Sequence, residues 1–135
     1  MEPAVMEIAE RLPLDDRAPL AARRAVDCLG DLVPSDVRDM ARLVVSELVT
    51  NIVRHSGMER GAEIEVRVVH HGRTVRIEVA DKGSGFEPRV RAPTADSLGG
   101  RGLLVVDQVA DRWGTVGNDG IRIWAELDLS RDRAA

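Results

Sequence analysis

The sequence predicts an α+β fold, a two-layer α/β sandwich whose mixed, mostly antiparallel sheet carries its helices on one face. Two observations carry that expectation. The apolar patterns run strand, helix, helix, two strands, loop, helix, two strands, which is not the strict alternation of a parallel α/β sheet. The second helix is also apolar over most of its surface, so more than one neighbour must cover it.

Taken in order, Val5–Leu14 mixes apolar and charged positions and reads as an edge strand. Asp15-Asp16 then offers an N-cap for a helix over Arg17–Leu32, with Pro19 tolerated in its first turn. Its expected buried stripe is Leu20, Ala21, Ala25, Cys28, Leu29 and Leu32, at three- and four-residue steps. Ser35 opens the next helix, which stops at Gly57; Val37, Met40, Ala41, Val44, Leu48 and Ile52 trace its stripe, and Val45, Val49 and Val53 widen it. A hairpin follows, with Ile64, Val66 and Val68 alternating on one strand and Val75, Ile77 and Val79 on the other, across His71-Gly72-Arg73. Residues 87–102 show no period and form a long loop of functional type. Leu103–Asp111 reads as a short helix, and Trp113–Val116 and Ile121–Leu129 as a last hairpin across Asn118-Asp119-Gly120. The whole chain, 1–135, fits a single domain with a polar tail from about residue 130.

Composition narrows the function. With 44 % hydrophobic and 31 % charged residues the chain is a soluble, globular type. A net charge of −4 and only three aromatic residues, Phe86, Trp113 and Trp124, speak against direct nucleic-acid binding. A single cysteine, Cys28, excludes an intrachain disulfide and a cysteine-rich zinc site, and its apolar setting suggests a buried structural thiol. No segment has the length of a membrane span and no signal peptide opens the chain, so the expected location is cytoplasmic.

Three motifs carry chemistry. On the second helix, Glu47, Asn51 and His55 share a face at i, i+4 and i+8. Polar groups on a largely buried helix need partners, and a ligand with its metal ion supplies them; a solvated polar stripe is an equal reading of this element alone. Next, Asp81-x-Gly83-x-Gly85-Phe86 follows a strand, where glycines let a ligand approach the backbone and Asp can accept a hydrogen bond from an exocyclic amine. A common Asp/Gly turn is the plain alternative. Last, Gly99-Gly100-Arg101-Gly102-Leu103 opens a helix, whose N-terminal N–H groups attract anions; a hinge before a helix is the plain alternative. No Gly-x-x-x-x-Gly-Lys-Ser/Thr loop is present.

In order and spacing, the three together resemble a known family. "VSELVTNIVRHSG" resembles the N box, and "VADKGSGF" and "GGRGLLVVDQVADRWG" the two glycine boxes, of the Bergerat-fold (gyrase and histidine-kinase type) ATPases. The length and the last run resemble one branch, the small anti-sigma factor/serine-protein kinases of bacterial sigma-factor switches. The resemblance implies the Bergerat ATP-binding fold, with ATP and Mg²⁺ as ligands. It assigns Mg²⁺ to Asn51 and the general base to Glu47. It brings Arg54 and His55 near the phosphates, Asp81 to the adenine amino group, and Gly83, Gly85 and Phe86 to the turn beneath the base. Gly100, Arg101, Gly102 and Leu103 fall on the lid over the phosphates. Relatives carry a Thr in the last strand beside the adenine-reading Asp; alignment on Trp124 puts Arg122 there, which cannot accept a hydrogen bond. The implied activity is transfer of the γ-phosphoryl group of ATP to a serine of a STAS-type anti-anti-sigma protein, by a homodimer that also binds a sigma factor. The alternative is a non-catalytic regulator of the same fold that senses ATP.

Overall fold

The first alternation forms β1 (Val5–Pro13), with Met6, Ile8 and Leu12 turned toward the core. Glu10 shares that face yet stays exposed, a charge that discourages another chain from adding to this sheet edge. Asp15 then makes the turn that leads into the first helix, whose N-cap is Arg17 and not the expected Asp15 or Asp16. Asp15 Oδ1 accepts the N–H of Arg17 at 2.8 Å and the Asp15 carbonyl accepts that of Ala18 at 3.1 Å. The computed structural model describes residues 5–55, 62–81, 101–116 and 122–129.

Helix α1 (Ala18–Asp27) buries Ala18, Ala22, Ala25 and Val26. This stripe is rotated from the expected one: Leu20 is 47 % and Leu32 56 % exposed. The helix ends sooner than its apolar period suggests, because Gly30 takes φ +53° and the chain tightens into a 3-10 turn over Gly30–Leu32. Leu29 fills the core there, and Cys28 is an exposed thiol instead of a buried one.

Helix α2 (Ser35–His55) is the centre of the helical layer. Val37, Ala41, Val44, Val45, Leu48, Val49 and Ile52 are all buried, because α1, α3 and the sheet cover it from different sides. Two contacts set its direction against α1. Arg23 Nη1 donates to Ser46 Oγ at 2.9 Å, and Arg42 Nε lies 3.3 Å from Asp27 Oδ1. The pairs 23/46 and 27/42 run in opposite senses, so the two helices are antiparallel.

The central hairpin pairs β2 (Glu63–His71) with β3 (Thr74–Asp81) around Gly72, whose φ of +59° makes the tight turn. Helix α3 (Arg101–Val109) then leads into β4 (Arg112–Val116) and β5 (Arg122–Asp128). The Asn118-Asp119-Gly120 turn, Gly57 and the tail from residue 130 lie outside the described residues.

The strand order is β1-β2-β3-β5-β4, and every pairing is antiparallel. The mixed character expected of the sheet does not occur among the described strands. Two antiparallel helices between β1 and β2 bring the chain back to the end where β1 finished, so β2 must run the other way. The crossover through α3 does make β3 and β4 parallel, but β5 inserts between them. Ile64, Val66, Val68, Val75, Ile77, Val79, Ile123, Ala125 and Leu127 form the buried face beneath the helices.

The opposite face is a lattice of ion pairs. Arg76 bonds to Glu78 at 2.8 Å and to Glu126 at 3.0 Å. Arg112 bonds to Glu126 at 2.8 Å and to Asp128 at 2.5 Å, and Arg67 pairs with Glu7. The Arg76 guanidinium lies 4.4 Å from the centre of the Trp124 ring, a cation–π contact. Trp124 lies across Gly114, where an added Cβ would meet its Cζ2 at 3.0 Å.

Candidate functional site

Strand register shows which ends of the elements meet. Leu12, Ile64 and Asp81 lie in one row across β1, β2 and β3. The N–H of Leu14 donates to the carbonyl of Ala62 at 2.8 Å, closing that end of the sheet. Helix α1 leaves from this end and α2 returns to it, so the Asn51–His55 end of α2 lies at the Asp81 end. In the next row Ala80, Arg122 and Val116 align, so β4 finishes at the Asp81 end and starts at the far one. Helix α3 feeds the start of β4 directly and therefore begins, at Arg101, at the Asp81 end. The described parts of the three motifs, the end of α2, Asp81 and the start of α3, thus lie at one end of the sandwich, although they are spread along the chain.

Two side chains stand out there. Asn51 and Asp81, 4 % and 6 % exposed, are the two polar side chains buried among the described residues. Burying a polar side chain is tolerated where it is hydrogen-bonded or charge-paired, and both side chains have partners in this fold. Asn51 Nδ2 donates to the carbonyl of Glu47 at 2.8 Å. This bond fixes the amide and commits its nitrogen, which turns Oδ1, a hard oxygen ligand, to the other side. Glu47, one turn earlier, is half-buried. Asp81 closes β3 on the core-facing side, in step with Val75, Ile77 and Val79.

The remaining expected residues fall as follows. Arg54 is exposed on the last turn of α2, where its charge complements the helix dipole. His55 ends α2, and Arg101 and Gly102 open α3; their side chains lie outside the described part. Gly83, Gly85, Phe86 and Gly100 also lie outside it. The Leu103 side chain is fully buried in the core, so any lid contact it makes is through its backbone.

Arg122 corrects the alignment. It does not stand beside Asp81. It pairs with Ala80, points to the outer face of the sheet, and has Nη1 3.7 Å from Glu78 Oε1. Alternation is the reason: neighbours along a strand face opposite sides, and a one-residue slip in alignment moves a side chain through the sheet. Ile123, opposite Val79, is the core-facing residue of that strand nearest Asp81 among the described ones.

The sequence reading missed one feature. Trp113 Nε1 donates to Asp107 Oδ1 at 2.8 Å, tying α3 to β4. The signal was available, because an acidic residue in the last turn of a helix opposes the helix dipole and calls for another reason to be there.

A profile of the histidine kinase-like ATPase domain matches residues 13–126, most of the chain. The chain belongs to the histidine kinase-like ATPase family. This is a family of ATP-binding domains, and the antiparallel sheet with three helices on one face is its fold. The ATPase domain is also similar in structure to the crystal structure of the RsbU and RsbW domains of Rv1364c from Mycobacterium tuberculosis. That match has a TM-score of 0.71 at 18 % identity, and covers 93 % of this chain but 33 % of that one. The ATPase domain thus spans about a third of that solved chain. No curated protein sequence matches it. No helix among the described residues is long and apolar enough to cross a membrane.

Proposed function

We infer that this ATPase domain is a protein-serine kinase of the anti-sigma type, transferring the γ-phosphoryl group of ATP to a serine of a STAS-type anti-anti-sigma protein. The observation that carries the reading is the burial of Asn51 and Asp81, on two elements that meet at one end of the fold. The RsbW-domain likeness supports the same branch.

The chain's own groups suit the reaction. Asp81 accepts the adenine amino hydrogen from the buried side of β3. The N-terminus of α3, with Gly100, Arg101 and Gly102, faces the phosphate oxygens. No group of three or more acidic, His or Cys side chains gathers as a metal centre among the described residues. The amide oxygen of Asn51 would be the protein ligand of Mg²⁺, a hard cation that suits oxygen ligands. When bound, Mg²⁺ neutralises charge on the phosphates. Glu47 takes the proton of the serine hydroxyl as that oxygen bonds to the γ-phosphorus and the bond to ADP breaks. Arg54, at the same end, offers positive charge to the phosphates, and His55 is assigned to bind beside it.

In this reading the protein is a cytoplasmic homodimer that also sequesters a sigma factor. It binds neither nucleic acid nor membrane itself. The alternative is a non-catalytic ATP-sensing regulator of the same fold; labelled-phosphate transfer to the acceptor separates the two.

The test is a nucleotide titration with and without Mg²⁺, followed by labelled ATP with a STAS-type acceptor. Asn51→Ala is expected to remove most of the Mg²⁺-dependent gain in ATP affinity. Glu47→Gln is expected to keep binding and lower transfer at least a hundredfold, the scale of general-base catalysis, about 10²–10⁴. Full transfer by Glu47→Gln would overturn the assignment of the base.

A further inference from the structure

Helix α3 has nine residues, too short to hold its shape or direction by itself. Leu103 and Val106 bury one side of it. Its C-terminal corner is pinned to the sheet three times. The Asp111 N–H donates to the carbonyl of Glu126 at 2.9 Å, the Asp128 N–H donates to Asp111 Oδ2 at 2.7 Å, and the Trp113 indole donates to Asp107 at 2.8 Å. The first two fix the corner. The third joins the helix itself to β4 through a half-buried ring packed on the core.

Asp107 is the seventh residue of α3, in its last turn, where a carboxylate works against the dipole. An alanine there would favour the helix more, so helix stability does not explain the residue. The hydrogen bond does, since it triangulates a short helix against an edge strand.

The consequence appears at the other end. A nine-residue helix is about 13 Å long, so a swing of ~10° about its fixed corner moves its N-terminus about 2 Å. Misplacement by about 1 Å is enough to impair phosphoryl transfer severely. We propose that Asp107 and Trp113 are positioning residues, a strut that aims the N-terminus of α3 at the γ-phosphate without touching nucleotide. The proposal rests on the nucleotide reading given above.

The experiment compares the full chain with Trp113→Phe, Asp107→Ala, Asp107→Asn and the double variant Trp113→Phe/Asp107→Ala. ATP and ADP affinities are measured by calorimetry with Mg²⁺, and folding by thermal melting. Trp113→Phe keeps the ring and loses the donor, while Asp107→Asn keeps an acceptor oxygen. Each of the first two is expected to weaken ATP about three- to tenfold while changing ADP less than twofold. Asp107→Asn is expected to restore ATP affinity to within twofold, and the double variant to be no worse than the worse single one. A merely structural role would lower the melting temperature and leave the ATP-to-ADP ratio unchanged, and that result overturns the strut. So does an Asp107→Asn variant as weak as Asp107→Ala. Failure of the unaltered protein to bind ATP would overturn the nucleotide reading and the strut with it. Tight ATP binding that no variant alters would overturn the strut alone.

Discussion

At Asp81 and Arg122 a single step of strand register decides which face a side chain takes. Asp81 is buried on the helix side, and Arg122 lies on the ion-paired side with Glu78. Arg122→Ala is therefore expected to leave ATP affinity within twofold of the unaltered protein by calorimetry; a tenfold loss would mean that the arginine reaches the base after all. Gly114 shows the same dependence on place. A methyl group there meets the Trp124 ring at 3.0 Å, and Arg76 limits where that ring can go. Gly114→Ala is expected to cost about 1–3 kcal/mol by urea denaturation, the usual scale for an overpacked site. The places of Glu47 and Asn51 on one helix face and of Asp81 at a strand end were legible in the sequence, because spacing and strand position show them. The faces of Arg122 and Cys28 were not, because both depend on where an element starts and stops.

Among the elements, the outer sheet face ties β3, β4 and β5 together through charge. Hydrogen bonds from Arg112 hold the Asp128 carboxyl below its usual range. Burial pushes the Glu126 carboxyl up, but the bonds from Arg112 and Arg76 outweigh it and leave the group below its usual range. The Arg112 guanidinium is shifted upward by Asp128 and Glu126 and stays charged at any working pH. Because both carboxyls have lowered folded values, their contribution is complete above the unfolded range near 4. It is lost as pH falls through the folded values. Thermal melting should show Arg112→Ala less stable than the unaltered protein at pH 7, with the gap closing below about pH 4. A gap that persists at pH 2 would mean that packing of the arginine, not its ion pairs, is responsible. Helix α1 teaches a complementary lesson. Its apolar period continues past Asp27, yet Gly30 ends the helical register and Leu32 faces outward, while within the helix Ala18, Ala22, Ala25 and Val26 take the buried side and leave Leu20 exposed. Periodicity finds a helix; its rotation depends on what the helix packs against.

For the whole molecule, α2 is the piece that everything else covers. Leu48 is fully buried one residue after Glu47 and three before Asn51. Leu48→Ala is expected to cost about 2–5 kcal/mol in urea denaturation. ATP and Mg²⁺ in excess should raise the denaturation midpoints of the unaltered protein and of Leu48→Ala alike, by mass action on the folded state, and leave the difference between them unchanged where the two bind ATP equally tightly. Midpoints that nucleotide leaves unmoved in both proteins would argue that ATP does not bind the folded chain.

The sequence by itself determined the element order, the edge position of β1, the apolar girth of α2 and the three motifs in family order. These are local or periodic properties, and each is written within one stretch of chain. Tertiary structure alone decided three things: the wholly antiparallel pairing, the face on which Arg122 lies, and the tie between Asp107 and Trp113. Each depends on which strand or helix comes to lie beside another. Two return helices reverse β2, β5 inserts between β3 and β4, and the short loop after α3 folds a tryptophan back under it. Contacts between segments distant in sequence are set by the packing of whole elements, and no single window of the chain contains them.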